Sequence, residues 1–247
     1  VFETIQDQYT IKTIYSYQES GIQLTYDRDK LVKKYCNTHK IVWNESQRDG
    51  IVRGIKNRVG WDKQWYATMH QAVIVNQFKV QIDLPFNNLY PLSDTLKAKL
   101  IDYPLTFQPA GEDYAFKYLD TFISDRGKNY SRHISKPTES RLSCARISPY
   151  LSWGNLTVKQ AYQYIYFGSK NSSNKRSYNS MLTRLKWHCH FIQKFEVEYT
   201  YETKCINAGF EHMHQEYNNA YLEAWKNGQT GFPLIDACMR CLHETGW

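Results

Sequence analysis

Trp225-Lys-Asn-Gly-Gln-Thr-Gly-Phe-Pro-Leu-Ile-Asp-Ala-Cys-Met-Arg-Cys-Leu-His-Glu-Thr-Gly-Trp247 closes this sequence of 247 residues. Over 232–243 the apolar residues recur at helical spacing behind a Gly-containing joint, so the stretch reads as a turn feeding a helix. Cys238 and Cys241 fall within that helix at a metal-compatible spacing. With no second pair to complete a zinc site, the spacing reads as coincidence and no metal is expected.

Outward from this segment, the length is enough for a real core and for one or two domains. Hydrophobic residues make up 42% and charged residues 22%, as in ordinary globular proteins. Aromatics reach 15%, with 20 Tyr and 7 Trp. They serve either a Tyr-rich core and surface or stacking platforms for a flat cofactor or nucleobases. A net charge of +7 favours a polyanionic partner such as DNA or RNA. The first residues, Val1-Phe-Glu-Thr-Ile-Gln-Asp-Gln8, lack a signal peptide's basic start and apolar run. No run of about 18 apolar residues occurs, so no membrane partner is expected. Six irregularly spaced cysteines then read as reduced thiols of a cytoplasmic protein.

Ile11–Tyr17 alternates β-branched and aromatic residues and predicts a strand. A helix is expected over Asp27–Asn37, then a strand at Ile41–Trp43, which together make a parallel βαβ unit. Such a unit needs further layers to cover its sheet. Gln47–Arg58 reads as a basic loop, and Trp61–Trp65 as the head of another helix. Pro85, Pro91, Pro104 and Pro109 mark an extended linker interrupted by one short helix near Thr95–Leu100. Helical spacing then dominates near 111–125, 156–167, 178–199 and 232–243. The expected organisation is an α/β piece, a long linker and an all-α piece.

Two stretches bear on chemistry. Ser140–Gly154 sets hydroxyls, arginines and helix-start amides together ahead of the helix near Thr157. That suits a phosphate, or alternatively a Ser-rich capping loop with a structural arginine. In Leu182–Glu196, helical spacing brings Arg184, Trp187, His188 and Phe191 close to one face. A tryptophan flanked by cations stacks a base or a flavin ring, while the plainer alternative is a core-packing amphipathic helix. His188 and His190 are two residues apart and point to different faces, which sets metal binding aside.

These stretches carry a resemblance. The closing segment is similar to the Trp-x-x-Gly-x-Thr-Gly-x-Pro-x-x-Asp-Ala-x-Met-Arg signature of the photolyase and cryptochrome flavoproteins. Arg146-Ile-Ser-Pro-Tyr-Leu-Ser-Trp-Gly154 resembles the segment with which that family cradles the FAD diphosphate. Cys144 and Ala145 stand where the family usually has Thr and Ser, so two hydroxyl donors are lost while main-chain donors survive. Tyr130 resembles a family tyrosine that also reaches the cofactor. Leu182–Phe191 resembles the family's Leu-x-Trp-Arg-x-Phe helix beside the damaged base pair, with Trp187 matched, His188 in place of an arginine and Arg184 where many members have an acid. Ser16–Gly21, Asp27–Asp29, Asp49–Arg53 and Trp61–Trp65 resemble, in order, the back half of the family's antenna domain.

What the resemblance implies follows. Residues 1–70 would be the C-terminal part of an α/β antenna domain, 71–110 an interdomain linker, and 111–247 the N-terminal half of a helical FAD-binding domain. The chain would be a fragment lacking both ends. FAD would be the cofactor, contacted by Tyr130, Cys144, Ala145, Arg146, Ile147, Ser148 and Trp247, with the identity of any second, antenna chromophore left open. Arg184, Trp187, His188 and Phe191 would face damaged DNA. No acid–base catalytic residue is expected. The implied activity is light-driven repair of UV-induced pyrimidine dimers by electron transfer from reduced FAD. A blue-light photosensor with the same fold and cofactor is the alternative. The full-length protein is expected to be monomeric.

Overall fold

The computed structural model describes residues 1–75 and 87–246. In chain order its regular elements are α1 Phe2–Gln6, β1 Thr13–Tyr17, α2 Gln23–Thr38, β2 Val42–Ser46, α3 Trp61–His70, α4 Asp94–Ile101, α5 Glu112–Ser124, α6 Tyr130–His133, α7 Pro137–Ser143, α8 Ser148–Trp153, α9 Val158–Gly168, α10 Lys175–Val197, α11 Asn219–Lys226 and α12 Pro233–Thr245. Short 3₁₀ turns fill several of the joints. Two compact units emerge: residues 1–86 with 111–206, and 87–110 with 207–247.

In the first unit, β1 and β2 pair in parallel, from Thr13 opposite Val42 to Tyr17 opposite Ser46, with α2 as the crossover. The expected βαβ unit is present, although β2 begins one residue later and α2 starts four residues earlier than the sequence indicated. Among the described residues the sheet has these two strands, and Tyr15, Tyr17 and Val42 remain exposed. Trp43 Nε1 donates to Ser16 Oγ at 2.9 Å and links the strands through their side chains.

The core lies in the helical part. Trp65, Leu119, Phe122, Ile165, Leu185 and Cys189 are fully or almost fully buried and belong to one cluster drawn from α3, α5, α9 and α10. The spacing of Tyr178, Met181, Leu185, Cys189 and Gln193 explains why α10 packs as it does. Steps of three and four residues place one continuous stripe against the core. Thr157 starts α9 with a reciprocal capping box to Gln160.

Residues 47–58 form a loop, as expected, with Arg48, Lys56 and Arg58 exposed, while Gly50 and Ile51 are buried. Trp61 Nε1 donates to Gly50 O at 2.8 Å, and a Cβ on Gly50 would lie 2.1 Å from Trp65 Cδ1. Asp49 Oδ1 accepts from Val158 N at 3.1 Å, at the start of α9. Gln193 is 0% exposed; its Oε1 accepts from Val52 N at 2.7 Å and its Nε2 donates to Val52 O at 2.9 Å. The loop is therefore anchored at Asp49–Val52 against α3, α9 and α10, while its charged residues Arg48, Lys56 and Arg58 face solvent. A second tie comes from α2, where the Tyr26 hydroxyl donates to Glu196 Oε1 at 2.5 Å and Arg53 lies 4.5 Å over the Tyr26 ring. Burial, then the neighbouring Glu196 carboxylate, pushes the Tyr26 phenol up to about 12.

In the second unit, Ser93 caps α4 by accepting from Leu96 N, and Asn218 caps α11 through Ala220 N and Tyr221 N. Of the four prolines expected to mark a linker, Pro85 lies outside the described residues, whereas 87–110 pack with 207–247.

Gln193→Ala leaves both main-chain groups of Val52 without a buried partner. It is expected to lower unfolding stability by about 3 kcal/mol, read by urea denaturation. An unchanged midpoint would show that the loop is not held this way.

Candidate functional site

The loop between α7 and α8 is shaped by its proline and glycine positions. Pro137 and Pro149 sit in the first turns of α7 and α8, where a missing N–H costs little. Gly154, at φ 76°, ends α8 in the left-handed conformation that favours glycine. Between them Arg146 also adopts a left-handed φ of 59°. Ile147 follows at φ −100° and ψ −2°. A left-handed residue followed by a right-handed one turns successive amides towards one side, the backbone shape of an anion-binding concavity. Such a φ at a non-glycine residue is uncommon and marks the loop for functional scrutiny.

The predicted contact residues divide by burial. Ala145 and Ile147 point into the core, so they offer a ligand only their main chain. Cys144 and Arg146 are half-buried and Ser148 is exposed. Burial pushes the Cys144 thiol up, against the opposing charges of Arg126 and Arg146. Tyr130 is 4% exposed and meets Phe122 edge-on at 5.6 Å. Burial pushes its phenol up to about 12, while the positive charge of Arg184 pulls the other way. Trp247 lies outside the described residues.

On α10, with one stripe committed to the core, Arg184, Trp187 and Phe191 occupy the opposite, wet side. Trp187 is 47% exposed and Phe191 61%. Arg184 lies 4.5 Å over the Trp187 ring, and Phe191 meets Trp187 edge-on at 6.4 Å. This is a cation–π pair with an aromatic neighbour, presented to solvent rather than spent in the core. His188 is exposed on the same helix and also lines a cleft of 860 Å3 with Ser16, Trp43, Arg48, Asp49 and Leu151. Partial desolvation along that cleft, reinforced by Arg48 and opposed by Asp49, holds its imidazole below the usual value. The structure thus leaves Arg184, Trp187, His188 and Phe191 all exposed on α10, with His188 reaching the α/β piece.

The closing signature is a corner between α11 and α12. The Asp236 carboxylate accepts from Thr230 N at 2.8 Å, from Thr230 Oγ1 at 2.6 Å and from Gly231 N at 3.0 Å. Arg240 Nη1 donates to Gly228 O at 2.9 Å. Gly228 has φ 63°, and a Cβ there would meet Asp236 O at 2.9 Å. Sequence reading quoted all of these residues but had no spacing rule that revealed their mutual bonds. Arg126, too, went unnoticed. Its guanidinium donates to carbonyls of the Cys144 loop, whose residues lie 16 to 19 positions further along the chain.

With this geometry in view, comparison with known proteins is informative. Residues 181–247 match the family model described as the FAD binding domain of DNA photolyase. The deoxyribodipyrimidine photo-lyase of Alkalihalophilus pseudofirmus is 29% identical over 141 residues, covering 56% of this chain and 28% of that protein. Cryptochrome-2 of Arabidopsis thaliana is 29% identical over 145 residues, covering 56% of this chain and 23% of that protein. The solved bacterial class III photolyase of Agrobacterium tumefaciens superposes with a TM-score of 0.72 at 18% identity, covering 100% of this chain and 53% of the other. The fold is photolyase-like, mainly helical with a small two-stranded parallel sheet. The chain is similar to the photolyase and cryptochrome flavoproteins, and its residues 181–247 carry their FAD-binding family pattern. It spans about a quarter of the length of those two curated relatives and about half of the solved one.

The Asp236 carboxyl is held below its ordinary value of 3.8, first by the Thr230 hydroxyl and then by the Thr230 and Gly231 amides. A depressed folded pKa gives stability that is complete above the unfolded value and lost as pH falls through the folded one. Acid titration of the α11–α12 corner, followed by hydrogen exchange at Thr230 and Gly231, should therefore show it opening below about pH 4. Asp236→Asn should be weaker at neutral pH and lose that acid dependence.

Proposed function

We propose that this chain is the section of a light-driven DNA repair enzyme that holds the phosphates of FAD and presents a stacking surface to the lesion. The observation that carries this reading is the solvent-facing pair of Arg184 and Trp187 on α10, with Arg184 4.5 Å over the Trp187 ring, on the helix that hydrogen-bonds α6 through Ser131 and Ser177. The donor set fits a diphosphate: a half-buried Arg146 in the left-handed conformation, an exposed Ser148 hydroxyl and a loop bent into an anion-binding shape. Cys144 and Ala145 add no hydroxyl, so main-chain donors take the larger share.

When bound, reduced FAD supplies the light-excited electron that opens a pyrimidine dimer. The residues of this chain bind and orient. In this proposal Arg146, Ser148 and Tyr130 hold the phosphate side, Cys144, Ala145 and Ile147 contribute backbone, and Trp247 adds a further flavin contact. Trp187 stacks an extruded base, with Phe191 as its edge and Arg184 and His188 as nearby cationic or polar neighbours. The +7 net charge suits a partner that is damaged DNA and implies binding that weakens with salt. Also proposed are an antenna-domain origin for residues 1–70, a linker role for 71–110, half of the flavin domain in 111–247, a monomeric full-length protein and a cytoplasmic location. Among the described residues no helix is long and apolar enough to cross a membrane.

The equal identity to a plant cryptochrome supports a second reading, a blue-light photosensor that binds FAD and performs no repair. Ultraviolet-irradiated oligonucleotides incubated with the full-length protein under blue light separate the two. Light-dependent loss of dimers supports repair, whereas intact dimers with a flavin light response support the sensor. Trp187→Ala is expected to weaken binding to irradiated single strands about tenfold, measured by fluorescence anisotropy, without loss of fold. Undiminished binding would remove Trp187 from the DNA surface.

A further inference from the structure

Arg126 stands behind the Cys144 loop with its donors turned to main-chain oxygens. Nη1 donates to Cys144 O and, at 3.4 Å, to Leu142 O. Nη2 donates to Tyr118 O at 2.8 Å and to Ala145 O at 3.5 Å, and Nε donates to Thr121 Oγ1 at 3.1 Å. Its guanidinium also lies 5.7 Å from the Tyr118 ring. None of the ion pairs among the described residues includes it. A half-buried cation is thus fixed by carbonyls, with Asp125 the nearby carboxylate but beyond ion-pair distance, and it is close enough to Arg146 for the two charges to repel.

Peptide geometry gives this arrangement a direction. In a trans peptide the C=O and N–H point opposite ways. Carbonyls of Cys144 and Ala145 that face Arg126 therefore turn the amides of Ala145 and Arg146 to the other side of the loop. The αL conformation of Arg146 then bends the chain into the concave shape already described. Two nearby guanidiniums add a positive field in a partly desolvated place, where charge acts over longer range than in water. Only a planar fork with several donors reaches these carbonyls together; a lysine keeps the charge but loses the fork.

We propose that Arg126 is a positioning residue for a diphosphate bound on the amide side of residues 144–148. It clamps the carbonyl side of the loop and biases the site towards anions without touching the ligand. This inference rests on the reading of the loop as a holder of the FAD phosphates.

The test uses sodium pyrophosphate as the probe, with chloride at matched ionic strength as the control, and reads the thermal shift of this chain. The wild type is expected to be stabilised by pyrophosphate. Arg126→Met should lose that response, and Arg126→Lys should bind pyrophosphate about tenfold more weakly, equivalent to about 1.4 kcal/mol. Hydrogen exchange at the Ala145 amide should accelerate in Arg126→Lys. If the wild type responds and Arg126→Lys binds pyrophosphate equally well, the positioning role is overturned even when its melting temperature falls. If the wild type itself ignores pyrophosphate, the phosphate reading of the loop fails first and the inference falls with it. Should Arg126→Met not fold, Arg126→Lys alone decides.

Discussion

The carboxamide of Gln193 closes a ring with the N–H and C=O of Val52, and the arrangement of the first unit depends on it. Gln193 stands near the C-terminal end of the stripe that α10 buries. A glutamine there satisfies two backbone groups that a hydrophobic side chain would strand away from water. Once α10 is locked by this contact, its rotation about its own axis is set. Its buried stripe then dictates that Arg184, Trp187 and Phe191 face outward together. The outward face is thus a consequence of how the inward face is satisfied.

Much of this was legible in the sequence because it follows from periodicity. The β1–α2–β2 unit and helices α5, α9, α10 and α12 all appear where alternation or three-to-four spacing predicts them. The short helices between 126 and 153 were less legible, since four to seven residues give no more than two turns of pattern. The basic stretch 47–58 is a loop as read, but its buried anchor was not legible. Its charged side chains report polarity, whereas its placement is decided by Gly50 and Ile51, which are small or apolar and easily overlooked in a charged run. Family resemblance singled out Tyr130, Arg146 and Trp187. It was silent on Arg126, because a guanidinium gripping carbonyls sixteen or more residues away leaves no local spacing to read.

Burial also refines how the predicted residues serve a ligand. Ala145 and Ile147 belong to the core, so a change in their side chains acts through packing before it acts through any ligand. Arg184 acts through its solvent-facing neighbour Trp187, whose ring it covers at 4.5 Å, so a change at Arg184 alters the exposed aromatic surface before it alters the core.

The corner around Asp236 has a consequence for how substitutions there act. Gly228 has no room for a Cβ beside Asp236 O, and the carboxylate of Asp236 closes the turn at Thr230 and Gly231. These residues bond to one another within their own unit. A substitution among them loosens the turn from α11 into α12 before it reaches any ligand. The corner is a keystone of its unit, whereas a side chain on the wet side of α10 can be exchanged with the arch left standing.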